Sequence, residues 1–184
     1  MNYNQITVGI VTFKSENVIL NCLNSIKKIK NIIIFDNSHD KDLKKKIKKR
    51  FPKIKFFLSK KNLGFGVAHN RIIKKSKTPF IFILSPDVTL KKNCEENLLK
   101  SIKKLNAEFS VLAPISQFKD YGSLTKDITE TEGVQGFAMI INKKKILQNG
   151  MFDENIFLYA EELDLCKGLR LNNEKIYINK KAKV

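Results

Sequence analysis

Four apolar runs in this chain end on small polar or acidic residues, the pattern expected of strands that present chemistry at their tips. ITVGIVTF (6–13) carries Thr12, and NIIIFD (31–36) ends on Asp36, followed by Asn37 and Ser38. KFFLS (55–59) leads into Asn62, Leu63 and Gly64, and FIFIL (80–84) stops at Ser85-Pro86-Asp87. A lone buried carboxylate is costly. Asp87 therefore either turns the chain and caps the next helix or meets a cation or ligand. It is a hard oxygen ligand, suited to Mg2+ or Mn2+ that also holds phosphate oxygens. Asp36 can accept hydrogen bonds from a ribose or base, and Gly64 and Gly66 let backbone approach a ligand closely. Taken singly, each of these is a common turn or cap signal; their joint order carries the functional reading. NLGFG lacks the Lys of a phosphate loop. The segment YAEELDLC adds Glu161, Glu162 and Asp164, which by themselves read as a solvated acidic helix start favoured by the helix dipole.

The elements that must position these residues are legible from periodicity. The β-branched runs read as buried strands over 6–13, 31–36, 55–59 and 80–84. Between them lie helices over 16–28, with Ser15 as cap and Ile19, Leu23 and Ile26 on one face, over 41–50 stopped by Pro52, and over 67–75. A further helix spans about 90–105. Strict alternation predicts a mostly parallel sheet covered on both faces, with right-handed crossovers. In such sheets ligands bind beyond the carboxyl ends of the strands. From Phe109 the rhythm changes: a strand over 109–115, a polar stretch over 116–133, a strand over 134–142, a short helical connection, the acidic segment 159–173 and a last strand, KIYIN. The polar stretch is long for a structureless loop, so it is functional or partly disordered. His39 and His69 read as surface or packing residues, and Phe157 and Tyr159 as core packing before acceptor lining.

Composition narrows the function classes. The chain has 184 residues, 42% apolar and 29% charged, enough for one domain with a core. No run is long enough to span a bilayer, and the start lacks a signal-peptide pattern. Cys22, Cys94 and Cys166 are far apart, which predicts reduced thiols in a cytosol. The net charge of +17 fits nucleic acid, an anionic membrane leaflet, a phosphorylated substrate, or a Lys-rich coding bias. The densest run, residues 41–55, has few aromatics and no nucleic-acid motif, which leaves solvated helix surface against a peripheral membrane face.

In order and content the motifs resemble family 2 glycosyltransferases of the GT-A fold, in particular the bacterial rhamnosyltransferase-like branch. VGIVTFKSE, IIIFDNSHD, NLGFGVAHNRII, Ser85-Pro86-Asp87 and GFAMIINKKKILQNGMFDENIFLYAEELDLC follow the family's succession over essentially the whole chain. The resemblance implies inverting transfer of a hexosyl or deoxyhexosyl group from a UDP- or dTDP-sugar to a hydroxyl on a glycan or lipid-linked acceptor. It implies surface polysaccharide or lipopolysaccharide assembly in a bacterial cytoplasm, with peripheral contact to the inner face of the membrane as an open addition and no nucleic-acid partner. By position, Thr12, Asp36, Asn62, Gly64 and Asp87 match the donor contacts, and Asp87 the ligand of Mg2+ or Mn2+. Glu162 stands at the catalytic Asp, with Glu161 and Asp164 beside it to support it or share the role. Departures are Ser85 for Asn or Asp, Lys14 for Asn, Gly168 for Arg, Asn173 for a helix-stopping Gly, and a second motif one residue short. The family pattern continues past INKKAKV into a His. The resemblance therefore implies a single GT-A domain over 1–184, short at its C-terminus relative to the family. The alternative reading is a catalytically inactive or truncated GT-A domain that only binds nucleotide-sugar or a partner.

Overall fold

The computed structural model describes residues 1–116 and 126–184. Its first half is the predicted βα alternation. β1 (Ile6–Thr12), β2 (Asn31–Asp36), β3 (Lys55–Leu58) and β4 (Phe80–Leu84) pair in parallel in the order β3-β2-β1-β4. α1 (Ile19–Ser25), α2 (Lys41–Arg50), α3 (Phe65–Lys75) and α4 (Cys94–Lys104) follow the four strands in turn. The second half adds β5 (Val111–Ile115), β6 (Ile128–Glu130), β7 (Ala138–Asn142), α5 (Lys143–Asn149), α6 (Glu161–Leu171) and β8 (Ile176–Lys183). Among the described residues one eight-stranded sheet results, ordered β3-β2-β1-β4-β7-β5-β8-β6.

Side-chain alternation explains the all-apolar strands. In β4, Phe80, Phe82 and Leu84 enter one core, under α1, α2 and α4, with Ile19, Leu23, Leu43, Ile47 and Leu98. Ile81 and Ile83 enter the other, under α3, α5 and α6, with Ala68, Ile72, Ile146, Leu165 and Leu169. A strand buried on both faces has no polar position to spare. Phe80 also stacks on Phe109, ring centroids 5.8 Å apart.

The sheet is mostly parallel, as the alternation suggests, but takes in two antiparallel strands. β7 runs antiparallel between β4 and β5, and β6 runs antiparallel to β8, while β5 and β8 are parallel. The reversal of β7 matters for function. Leu84 pairs with Ala138, so the residues just before β7 lie at the carboxyl ends of the parallel strands.

Several boundaries differ from the sequence expectation. α1 starts at Ile19 and not near residue 16, because the Ser15 hydroxyl turns back to the Phe13 carbonyl and caps nothing. It ends early because the Glu95 carboxylate, 7% exposed, takes the backbone N–H groups of Lys27, Lys28 and Ile29 at 2.9–3.1 Å. α3 begins two residues earlier than expected, and α4 begins at Cys94. β7 starts at Ala138, not 134, and β8 runs on to Lys183. The polar stretch hides β6, a three-residue edge strand; residues 117–125 of that stretch lie outside the described residues. Asn173 does adopt a left-handed conformation after α6, φ 59°. All three cysteines are free and buried. Among the described residues no helix is long and apolar enough to cross a membrane.

Candidate active site

The carboxyl ends of β1 and β2 are locked together by Asp36. Thr12 Oγ1 donates to Asp36 Oδ1 at 2.8 Å, Ser38 Oγ donates to the same oxygen at 2.8 Å, and the Asp40 N–H donates to Oδ2 at 2.8 Å. Thr12 and Asp36 are both fully buried. Three donors offset the desolvation of this carboxylate. Two donors fill Oδ1, which leaves one lone pair on Oδ2 for anything else.

The third strand end is joined to this pair. Asn37 Nδ2 donates to the Gly64 carbonyl at 3.0 Å, and Asn62 Oδ1 accepts from the Gly64 N–H at 3.0 Å. Gly64 has φ 78°, and a Cβ there would stand 2.2 Å from the Phe157 carbonyl oxygen. Only glycine meets both demands. The Phe65 N–H donates to that same carbonyl at 3.1 Å, so the 62–65 turn is bolted to the segment before α6. A second bolt lies below it: the Asn70 amide exchanges two hydrogen bonds with the Phe152 backbone, at 2.9 and 3.2 Å. His69 fills the gap between Phe65 and Phe152, with ring centroids 4.1 and 6.1 Å away. Its Nδ1 lies 3.0 Å from the Phe65 carbonyl, to which it must donate, and its buried Nε2 has no partner among the described residues. Burial pushes the imidazole down to about 3, so it is neutral.

At the fourth strand end the Ser85 N–H donates to the Phe137 carbonyl at 2.8 Å, and Val88 closes a turn onto the Ser85 carbonyl at 3.1 Å. Asp87 is exposed. Among the described residues its carboxylate has no hydrogen-bond or ion-pair partner. The neighbouring Cys22 thiol is raised to about 12 by burial first and the charge of Asp87 second. No cluster of three or more His, Cys, Asp or Glu that could hold a metal occurs among the described residues. The donor set therefore fits an ion taking one protein carboxylate, with phosphate and water oxygens completing its shell, as Mg2+ commonly does.

α6 supplies the remaining acids. Tyr159 and Ala160 are both left-handed, φ 69° and 67°, and the helix starts at Glu161. Glu162 packs over Gly136, where a Cβ would meet its side-chain carbons at 3.3–3.4 Å. Gly136 precedes Phe137, the partner of Ser85, so Glu162 and Asp87 share one rim. Glu162 lines a cleft of about 450 Å³ with Pro114, Gly133, Gln135, Phe137 and Leu163. Its neighbour Glu161 is 4% exposed; Oε2 is buried without a partner among the described residues, and burial raises its carboxyl above the usual range. Glu161 is thus no solvated helix start, whereas Asp164 is exposed. Phe157 and Tyr159, expected in the core, are 56% and 81% exposed, and Leu158 and Leu163 are exposed as well. Sequence reasoning missed Gly136 and Phe137, which act through an absent side chain and a carbonyl.

The structure therefore gathers Thr12, Asp36, Asn62, Gly64 and Asp87 along the ends of the parallel strands and sets Glu162 against the same rim through β7. The family model "Glycosyl transferase family 2" matches residues 7–177. The chain belongs to this family. A curated relative, the low-salt glycan biosynthesis hexosyltransferase Agl10 of Haloferax volcanii, is 22% identical over 198 residues, covering 93% of this chain and 63% of the relative. Among solved structures, TarS of S. aureus matches with a TM-score of 0.74 and 18% identity, over 98% of this chain and 60% of that one. A mannosyltransferase, PcManGT of Pyrobaculum calidifontis, in complex with GDP-Man and Mn2+, matches with a TM-score of 0.79 and 11% identity, over 98% and 56%. These likenesses establish the GT-A fold. The chain spans about three fifths of the length of these relatives.

Proposed function

We propose that this family 2 domain moves a hexosyl or deoxyhexosyl group, with inversion, from a nucleotide-diphospho-sugar to a hydroxyl acceptor in surface glycan assembly. The observation that carries the reading is the pairing of an unpartnered Asp87 at a rigid strand end with Glu162 on the same rim. The family match supports it, as do a TarS complex with UDP-GlcNAc and the PcManGT complex with GDP-Man and Mn2+. The donor is proposed as a UDP- or dTDP-sugar received between the Asp36–Ser38 and Asn62–Gly64 turns. Asp87 would hold Mg2+ or Mn2+, whose charge would favour departure of the diphosphate. Glu162 accepts the proton of the acceptor hydroxyl as that oxygen bonds to the anomeric carbon and the carbon–phosphate oxygen bond breaks. Glu161, next to Glu162 and buried with one oxygen unpartnered among the described residues, suits a positioning residue better than a second base. Asp164, exposed, is the next candidate for the base. Peripheral contact with an anionic leaflet is proposed from the net charge of +17.

Calorimetry with a panel of nucleotide-sugars, with and without EDTA, tests the donor side, and transfer or donor hydrolysis tests the chemistry. Donor binding that ignores metal removes Asp87 from its role. Donor binding with neither transfer nor hydrolysis moves the chain to the inactive-domain reading.

A further inference from the structure

The opposite end of the sheet carries a feature that sugar transfer does not use. A cup of about 210 Å³ opens where β1, β2 and β3 begin and α3 ends. Lys30, Lys53, Lys55, Lys75 and Lys77 line it, together with Thr7, Asn31 and Thr78. The five lysines come from separate places: the turn before β2, the turn before β3, the first residue of β3, the last residue of α3, and the turn before β4. Among the described residues no carboxylate lines the cup. Among the described residues none of the five forms an ion pair, whereas Lys28, Lys45, Lys145, Arg170 and Lys181 each do.

The floor of the cup is stiff. Thr7 and Thr78 hydroxyls lie 2.7 Å apart, and Ser76 Oγ is 3.0 Å from each. Thr78 Oγ1 donates on to the Phe80 carbonyl at 2.9 Å, and Asn31 Nδ2 donates to the Asn4 carbonyl at 3.0 Å. On one wall Lys75 rests over the Phe57 ring, 4.6 Å from its centroid. The negative end of the α3 dipole favours Lys75 and Lys77 at this place, but it does not reach Lys30, Lys53 and Lys55 at the strand starts. A concave site lined by several lysines, with a fixed floor and no acid among the described residues, matches a compact anion of more than one charge, although Lys30 Nζ already donates to the Lys27 carbonyl at 2.5 Å.

We propose that this cup is a binding site for a phosphate-bearing anion, separate from the transfer site at the other end of the strands. The shared chemistry is a cluster of phosphate oxygens, carried either by a soluble diphosphate or by a lipid headgroup. The experiment uses inorganic diphosphate in EDTA, so that Asp87 cannot recruit it through a metal, at about 20 mM salt, where surface charges are little screened. Amide spectra should shift first at Thr7, Lys30, Asn31 and Thr78. The triple variant Lys53→Gln/Lys55→Gln/Lys77→Gln should weaken binding at least about tenfold. Lys44→Gln/Lys45→Gln/Lys46→Gln, which removes the same charge from α2, should leave it within about twofold. In a second arm, sedimentation with phosphatidic acid vesicles is compared with phosphatidylcholine vesicles. Binding in either arm that depends on the cup supports the site, and the arm in which it occurs names the source. Equal losses in the two triple variants, shifts centred elsewhere, or no binding in either arm overturns it. None of these outcomes bears on glycosyl transfer, which is read in a separate assay.

Discussion

Lowering the pH should unlock the packing beneath the donor turn, and His69 sets the size of the effect. In the folded chain its ring is fully buried between Phe65 and Phe152 and titrates at about 3. In the unfolded chain it titrates near an ordinary value of about 6.5. The unfolded state therefore binds the proton first. The stability that depends on neutral His69 is fully present above the unfolded value and is lost progressively as pH falls toward the folded one. Between pH 7 and pH 5 the loss is RT ln[(1 + 10^1.5)/(1 + 10^−0.5)], about 2 kcal/mol. The assay is urea unfolding at the two pH values for the wild type and for His69→Leu, with the difference of differences taken so that His39 and the carboxylates cancel. The variant should be less pH-sensitive by about 2 kcal/mol, whatever its own stability. A variant that loses as much as the wild type between pH 7 and pH 5, within about 0.5 kcal/mol, would refute the reasoning, because His69 would then take up its proton without disturbing the fold.

Glu162→Gln should cut turnover by about a hundredfold or more and leave donor affinity nearly unchanged, since the base faces the acceptor; full activity would transfer the role to Asp164. Asp87→Asn should instead lose metal-dependent donor binding along with turnover, and calorimetry separates the two. Gly64→Ala should destabilise by roughly 2 kcal/mol or more, because φ 78° and the Phe157 carbonyl 2.2 Å from the new Cβ act together; an unchanged melting temperature would show that the 62–65 turn is not held there. If the run at residues 41–55 is a membrane face, the protein should sediment with anionic liposomes and be released as salt rises, while equal recovery with neutral liposomes would leave the charge as coding bias.

The parallel half of the fold was legible because its strands are short, β-branched and bounded by turn residues, and β2 and α2 fall on the residues the periodicity predicts. The antiparallel half was less so. Nothing local in AMIIN distinguishes a strand running one way from the other; its direction follows from pairing with β4 and β5. β6 was hidden because three residues at a sheet edge carry too little pattern. The early end of α1 was invisible for a related reason. Glu95, far along the chain, stops it by taking three backbone donors, and no signal near Ser25 announces that. The exposure of Phe157 and Tyr159 was also misjudged: two successive left-handed residues turn the chain outward, and neither is a Gly, Asn or Asp that would have marked the turn.

Asp36 and Asp87 look alike in the sequence, each closing an apolar strand, yet they have opposite fates. Donors within four residues surround Asp36: the Ser38 hydroxyl and the Asp40 N–H, with Thr12 from the adjoining strand. Its charge is consumed in building the rim. Around Asp87 no local donor reaches the carboxylate among the described residues. The Ser85 N–H goes to Phe137, the Val88 N–H goes to Ser85, and Pro86 has no N–H to give. Exposure to water keeps the unpartnered carboxylate tolerable, and its position at the end of a fully buried strand keeps it in place. A carboxylate on an anchored turn and left without protein partners has its coordination capacity intact. Donor recognition should accordingly divide between them: at most one direct hydrogen bond to Asp36, through the remaining lone pair of Oδ2, and the ionic contact through Asp87. Asp36→Asn would then disturb the rim, because the amide nitrogen cannot accept the bonds of Thr12 and Ser38 or of Asp40, whichever side it takes. It should lower the melting temperature as well as donor affinity, whereas Asp87→Asn should lower donor affinity at an unchanged melting temperature. The same thermal shift for both variants would mean that the two strand ends are not specialised in this way.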